Sequence, residues 1–471
     1  MKKGKLSLAL ESFNKLTINK LKKFVSSPYF NRDQSLVDLL VFLTSITPLE
    51  YEKLNKEMVW REFKGDSPFN DVRFRKYLSD LLGLVEQFLS LEELEADPFQ
   101  RDLLLLRSLN RKGLKKLIPG TLKKASKRID EDKHLGIEKL HNEYLLEKEK
   151  FNSEFRFDRK QRSNIQDIIS TFDHFYVAER FKLGADQISR GKFVKLEEMD
   201  SFGSTLSEWL DENEISPGEM AKAYQAVFNS QKLETIDSYF TLRDRIGSLS
   251  GPLDNSEAGS IYASQINFCI RQINSGDAKF LKELFIIYKE LLEKNLLVTD
   301  GRISPNTFSN VNITALRNQA YDWAENFLEV YAQYLPKDKR ENLPKYELAR
   351  IFFYKKEFLQ VIEILREFEF TDKFDTLQTK ALQIYTYYEL GEFEVLDSLL
   401  KSLKIYLQRH KELGAERIKN YKNLIKLITQ MISIVPGDQK RIAKLKKDLD
   451  EMKGIAANKE WLEEKIAELE K

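Results

Sequence analysis

The sequence predicts an all-α fold, an α-solenoid of stacked helix hairpins behind an N-terminal helical module. Three observations predict it. Breakers are scarce, with 19 Gly and 11 Pro in 471 residues, while 42% of residues are apolar and 32% charged; that balance suits helices with solvated outer faces. A short passage occurs twice, as Phe352-Phe353-Tyr354-Lys355-Lys356-Glu357-Phe358 with Val361, Ile364 and Leu365, then as Tyr387-Tyr388-Glu389-Leu390-Gly391-Glu392-Phe393 with Leu396, Leu399 and Leu400, so that Phe393 follows Phe358 by 35 residues. Cap-plus-proline pairs recur at Asp97-Pro98, Ser216-Pro217 and Ser304-Pro305, the usual mark of a helix start.

The N-terminal module spans residues 1–96. Thr17 is placed to cap a short helix with Ile18, Leu21, Phe24 and Val25 on one side. Pro28 ends it, and Ser26-Ser27-Pro28-Tyr29-Phe30-Asn31 reads as a turn with both aromatics tucked inward. Helices follow from about Asp33 to Ser45, after Pro48, and from Asn70, where Phe74, Leu78, Leu81, Val85 and Phe88 keep helical spacing. Residues 97–192 are more charged, and Lys133–Phe155 and Lys160–Leu183 read as an antiparallel hairpin joined near Asp158. The stripe Ile165, Ile168, Ile169, Phe172 and Phe175 faces its partner helix in that reading.

Residues 193–435 read as hairpin units beginning near 217, 257, 305, 344 and 377, with longer loops at 248–256 and 297–306. Ser216, Pro217 and Glu219 form a capping-box start. A third copy of the repeated passage precedes the other two, with Tyr321, Ala324 and Leu328 aligned on Phe358, Val361 and Leu365. In each copy an aromatic opens the second helix, and the three aligned residues share one face that must be buried. The period is close to the 34 residues of a tetratricopeptide unit, so the fold expected is a degenerate tetratricopeptide-like α-solenoid of helix hairpins. Val361 and Leu396 are larger than the small residue that pattern prefers. Pro436-Gly437 then breaks the chain, and residues 436–471 read as a C-terminal capping helix in which Ile442, Leu445, Leu449, Leu462 and Ile466 are apolar.

Little in the composition points to chemistry. The formal net charge is +2, which gives no whole-chain attraction to nucleic acid. The one cysteine, Cys269, lies in the apolar run Ile266–Ile270 and reads as a small buried hydrophobe. The apolar start after Lys5 ends at Glu11, too short for a secretory signal, and no apolar run approaches bilayer length; a cytoplasmic protein without a membrane segment is expected. His134, Glu138 and His141 could share a helix face and hold zinc weakly, but a solvated face is the plainer reading. No phosphate loop, nucleophile elbow or paired-cysteine motif occurs, so neither an enzyme nor a cofactor is expected. Charge is segregated: 101–128 carries ten Lys or Arg against Asp102, and 401–447 carries thirteen against three acids. Such strips are ordinarily solvated, and they are the only feature that favours a nucleic-acid partner.

Several passages together resemble a known family. Ser27-Pro28-Tyr29-Phe30-Asn31, Asn267-Phe268-Cys269-Ile270, Ser304-Pro305 with Thr307-Phe308, Trp323-Ala324-Glu325 and Tyr387-Tyr388-Glu389-Leu390-Gly391 stand in the order found in uncharacterised tetratricopeptide-like proteins of Bacteroidetes. The resemblance implies a cytoplasmic helical-repeat protein and carries no activity with it. The function expected from the architecture is a non-enzymatic scaffold that captures a peptide or helix of a partner on the concave face, with a monomer as the expected oligomeric state. First-helix residues that the core does not require are the candidates for that face: Asn310, Asn312, Arg317, Lys345, Arg350 and Gln383. The alternative is a nucleic-acid-associated regulatory protein using the strips at 101–128 and 401–447.

Overall fold

The computed structural model describes residues 4–46, 54–155, 164–191, 201–299, 301–366, 373–452 and 459–470. Among these residues the regular structure is 23 α-helices with short 3-10 turns, and there is no strand beyond two isolated bridges. Helices adjacent in sequence pack as neighbours. The chain divides into two compact units, one of Met1–Phe228 with Leu242–Asp254, the other of Asn229–Thr241 with Asn255–Lys471.

The first unit begins with α1 (Lys5–Glu11), α2 (Lys15–Val25), α3 (Gln34–Ser45), α4 (Lys56–Lys64) and α5 (Asp71–Ala96). Side chains of Asn14, Asp33, Asn55 and Asn70 cap α2 to α5, each accepting a first-turn backbone N–H. Thr17 is therefore not a cap; it lies in the first turn, and its N–H donates to Asn14 Oδ1 at 2.9 Å. The helix α5 is a spine that α1, α2, α3 and α4 all touch, and Leu21, Leu39, Trp60, Phe74, Leu81 and Val85 meet in its core. Pro48 lies outside the described residues. The turn after α2 does not tuck its aromatics inward. Asn31 organises it instead, with Nδ2 donating to the carbonyls of Val25 and Asp33, which leaves Tyr29 88% exposed while Phe30 stacks on Phe24 at 4.2 Å.

Next come α6 (Pro98–Lys112), α7 (Ile118–Glu131), α8 (Ile137–Phe155), α9 (Ile165–Gly191) and α10 (Ser201–Glu212). Asp97 caps α6 with Pro98 in its first turn, as the pair predicts. α8 and α9 run antiparallel: moving three residues along one, from His141–Phe175 to Tyr144–Phe172, moves three back along the other. The joint near Asp158 lies outside the described residues. α8 starts four residues later than its pattern suggests, because Leu135 exchanges backbone hydrogen bonds with Pro252 and Asp254 and cannot be helical. The stripe on α9 meets α8 only in its second half, where Phe172 and Phe175 pack on Tyr144 and His141. Ile165 and Ile169 are exposed, and Val177, Ala178, Phe181, Ala185 and Ile188 are the buried positions of the helix.

α11 (Glu219–Leu233) and α12 (Ile236–Gly247) pass through both units. The capping box at Ser216 does not form. Gly218 takes φ +90° and lies against the His174 ring, which breaks helical continuity after Pro217, so that α11 starts at Glu219 and its carboxylate accepts from Ser250 at 2.6 Å.

The second unit continues with α13 (Asn255–Asn274), α14 (Lys279–Glu293), α15 (Pro305–Arg317), α16 (Tyr321–Tyr331), α17 (Asn342–Tyr354), α18 (Phe358–Arg366), α19 (Lys373–Glu389), α20 (Phe393–Arg409), α21 (Ala415–Ser433), α22 (Gln439–Glu451) and α23 (Lys459–Glu468). Cys269 is buried and its thiol donates to Tyr239 Oη at 3.4 Å. Ser304 caps α15 by accepting the Thr307 N–H at 3.0 Å. α17 begins two residues ahead of Pro344, which sits in the first turn, where its missing N–H leaves no intrahelical bond unmade.

Three of these pairs share a turn. Gln319, Lys356 and Gly391 have φ of +58°, +63° and +72°, and each stands two residues before the aromatic that opens the next helix. Each donates its N–H to the carbonyl three residues back, and the residue after it reaches the carbonyl five back, the hydrogen-bond pattern that closes a helix on a left-handed residue. The positions three and seven residues beyond each aromatic are buried: Ala324 and Leu328, Val361 and Leu365, Leu396 and Leu400. The aromatics themselves are not core residues as expected. Tyr321 and Phe358 are half-buried and Phe393 is 46% exposed. Phe358 and Phe393 instead pack on Phe353 and Tyr388 at the end of the preceding helix, with centroids 5.6 and 6.0 Å apart.

Candidate functional site: the first-helix face of the C-terminal unit

α15, α17 and α19 are the first helices of the three pairs, and they touch in that order. Their exposed edges form the face on which the six sequence candidates were placed, and those six meet different fates. Asn312 is buried and belongs to the packing between α15 and α17, not to an open surface. Its Nδ2 donates to Glu347 Oε2 at 2.7 Å, and Arg350 Nη1 donates to the same carboxylate at 2.9 and 3.1 Å. Glu347 is fully buried, so an amide and a guanidinium replace its water. Burial works against the Arg350 charge, and the Glu347 carboxylate outweighs it, leaving the guanidinium pKa raised. Lys345 is exposed and pairs with Glu341, the residue just before its own helix, at 3.4 Å. Asn310 is exposed and Gln383 half-buried.

Arg317 is occupied. Its Nη2 donates to Glu460 of α23, because the last helix of the chain lies on this face. Trp461 packs on Tyr385 and Tyr388 of α19 with centroids 4.8 and 5.5 Å apart, and its indole N–H donates to Glu389 Oε1 at 2.6 Å. One turn on, Lys465 donates to Glu389 Oε2 at 3.0 Å and to Glu468 Oε1 at 2.8 Å. Lys465 is 5% exposed. Burial alone would lower its pKa, but the bonds to Glu468 and Glu389 raise it above the ordinary lysine value. Burial likewise pushes the Tyr385 hydroxyl well above the ordinary tyrosine range.

In the sequence Tyr388 and Glu389 stand out only as part of the repeated passage, and Tyr385, Trp461 and Lys465 not at all. A local signal existed: three residues on one face at the end of α19, and an indole and a lysine four residues apart on α23. What joins them is a separation of over seventy residues that no periodicity encodes.

Elsewhere the basic strips are partly neutralised where they stand. Arg107 binds Glu149 at 3.0 Å, Arg128 binds Asp102 at 2.8 Å and Arg101 binds Glu95 at 2.7 Å; Lys426 and Lys446 pair with Asp448 and Glu470 at 3.2 and 2.6 Å. Among the described residues no group of three or more His, Cys, Asp or Glu side chains is placed to hold a metal ion. His134 turns to Asp132 at 3.1 Å and His141 stacks on Phe175 at 4.6 Å, so the zinc arrangement is not formed. No helix among the described residues is long and apolar enough to cross a membrane. No family model matches this chain, and neither does any curated protein or solved structure.

Proposed function

We propose that the protein is a non-enzymatic cytoplasmic scaffold, a degenerate tetratricopeptide-like solenoid of the kind it resembles among Bacteroidetes proteins, and that it captures a helix or peptide of a partner protein on its first-helix face. The observation that carries the reading is the threefold recurrence of one device: a left-handed residue, an aromatic two positions later, and buried residues three and seven beyond that. The contacts of α17 with both α15 and α19 support a stack in which first helices adjoin first helices, an arrangement that leaves a continuous side for binding. The nucleic-acid alternative draws less support, because Arg107, Arg128, Lys426 and Lys446 are engaged by carboxylates.

The test is photo-crosslinking in the native host with an unnatural residue at Asn310 or Gln383, against a control at Leu359, which is 75% exposed on the second helix α18. Protein adducts at the first two positions and not the third are expected. Equal yields at all three, or adducts to nucleic acid, would overturn it.

A further inference from the structure

The side of α15 and α19 nominated for binding already holds a helix, and the way it holds it is specific. α23 has 10 residues, about 15 Å of helix. A helix of that length is marginal alone in water, so docking sustains it. Trp461, Leu462 and Ile466 are each under 10% exposed and join the apolar cluster that α19, α20, α21 and α22 also line. The rest of the contact is polar and legible as a code. Arg317 reads the acid at Glu460, Tyr385 and Tyr388 flank the indole, and Glu389 reads two side chains four residues apart, one carboxylate oxygen accepting the Trp461 N–H and the other the Lys465 ammonium. A helix that served only to close a core would have no use for a cation there. Burying Lys465 costs desolvation that is recovered when the helix leaves. A second helix with the same side chains would restore each contact one for one, so exchange sets like against like.

We propose that α23 is an exchangeable ligand carried in cis, and that the face it covers binds a partner's amphipathic helix bearing an acid, a tryptophan next to it, a lysine four residues after the tryptophan, and apolar residues beside both. The proposal deepens the scaffold reading and rests on it: it names the chemistry of the captured helix and makes the chain's own α23 its competitor. A tethered ligand stands at an effective concentration on the order of millimolar, so the face admits only partners that bind better than α23 does, or chains in which α23 has been weakened.

The test uses the full-length chain and a labelled synthetic peptide of residues 457–470. In the chain carrying Trp461→Ala with Lys465→Glu, fluorescence anisotropy is expected to give binding at least about 30-fold tighter than to the unaltered chain, because the tethered competitor is gone. Adding Glu389→Lys to that chain should weaken binding by about 10-fold or more, and a peptide with Lys465→Glu should recover it; general loosening of the fold would not produce that reciprocal rescue. Binding no tighter than to the unaltered chain, with helical content unchanged by circular dichroism, overturns the proposal. A second measurement needs no variant. Hydrogen exchange in the unaltered chain should show α23 opening about 100-fold more readily than α19; exchange of the two helices in one step would make α23 fixed core and overturn the idea. No cellular partner enters either measurement, so failure here removes the exchange and leaves crosslinking at Asn310 and Gln383 to decide the scaffold reading.

Discussion

Glu347 has no contact with water and two polar partners on different helices. Replacing one partner strands it. Arg350→Met is expected to destabilise the second unit by about 3–5 kcal/mol in urea denaturation, whereas Glu347→Met together with Arg350→Met should cost far less, because no buried charge is then left alone. Lys356 and Gly391 occupy the same turn position with φ +63° and +72°, a conformation that glycine adopts without strain and lysine does not. Lys356→Gly should raise stability by about 0.5–1 kcal/mol and Gly391→Ala lower it by a similar amount, read as opposite shifts in the thermal midpoint. Glu412 accepts from Lys373 and then His410, which hold its carboxyl down to about 2 from an ordinary 4.5. A depressed acid contributes stability above its unfolded pKa and loses it as pH falls through the folded one. The difference in melting temperature between the unaltered chain and Glu412→Gln should therefore hold above about pH 4.5 and vanish toward pH 2; no difference above about pH 4.5, or one of the same size at pH 2, would show that the ionised pair does not stabilise the fold.

At the scale of elements, the second helices α16, α18 and α20 bury what their spacing demands. Ala324 is the tightest of these positions, fully buried and small. Ala324→Leu forces extra volume between α15, α16 and α17 and should cost about 1–3 kcal/mol. Leu396→Ala, at the aligned position of α20, opens a cavity and should cost about 2–5 kcal/mol. An effect of Ala324→Leu no larger than that of an exposed control such as Leu359→Ala, read by thermal melting, would show that Ala324 is not tightly packed. The helix starts divide by the same logic. Asp97 and Ser304 act as caps, accepting the N–H groups of Gln100 and Thr307. Ser216 does not, since Gly218 turns the chain against His174 before a helix can form. An Asx or Ser before proline encodes a possible start, and the packing of the next residues decides whether it is taken.

At the scale of the molecule, the division between units falls inside α11 and α12, and residues 229–241 belong with the later part of the chain. Tyr239 shows why. It is fully buried, stacks on Phe268 at 4.7 Å, meets Phe280 edge-on and donates to Glu283 Oε1 at 2.9 Å. A fragment beginning at Asn229 should melt higher than one beginning at Asn255, which lacks that side chain and exposes Phe268; equal midpoints would count against assigning 229–241 to this unit. The sequence by itself determined that the chain is helical, the starts at Asp33, Asn70, Asp97 and Ser304, the burial of Ala324, Val361, Leu396 and their partners, and the recurrence of one turn, because these rest on contacts within a few residues along the chain, which spacing encodes. It did not determine that Tyr29 faces outward, that Ile165 and Ile169 of the α9 stripe are exposed, or that Asn312 is locked to Glu347. Above all it gave no sign that Trp461 and Lys465 return to Glu389. Those outcomes depend on which surfaces meet across long separations, where shape and pairing of polar groups compete. Only the tertiary structure settles that competition, and it put a helix where an open face was expected.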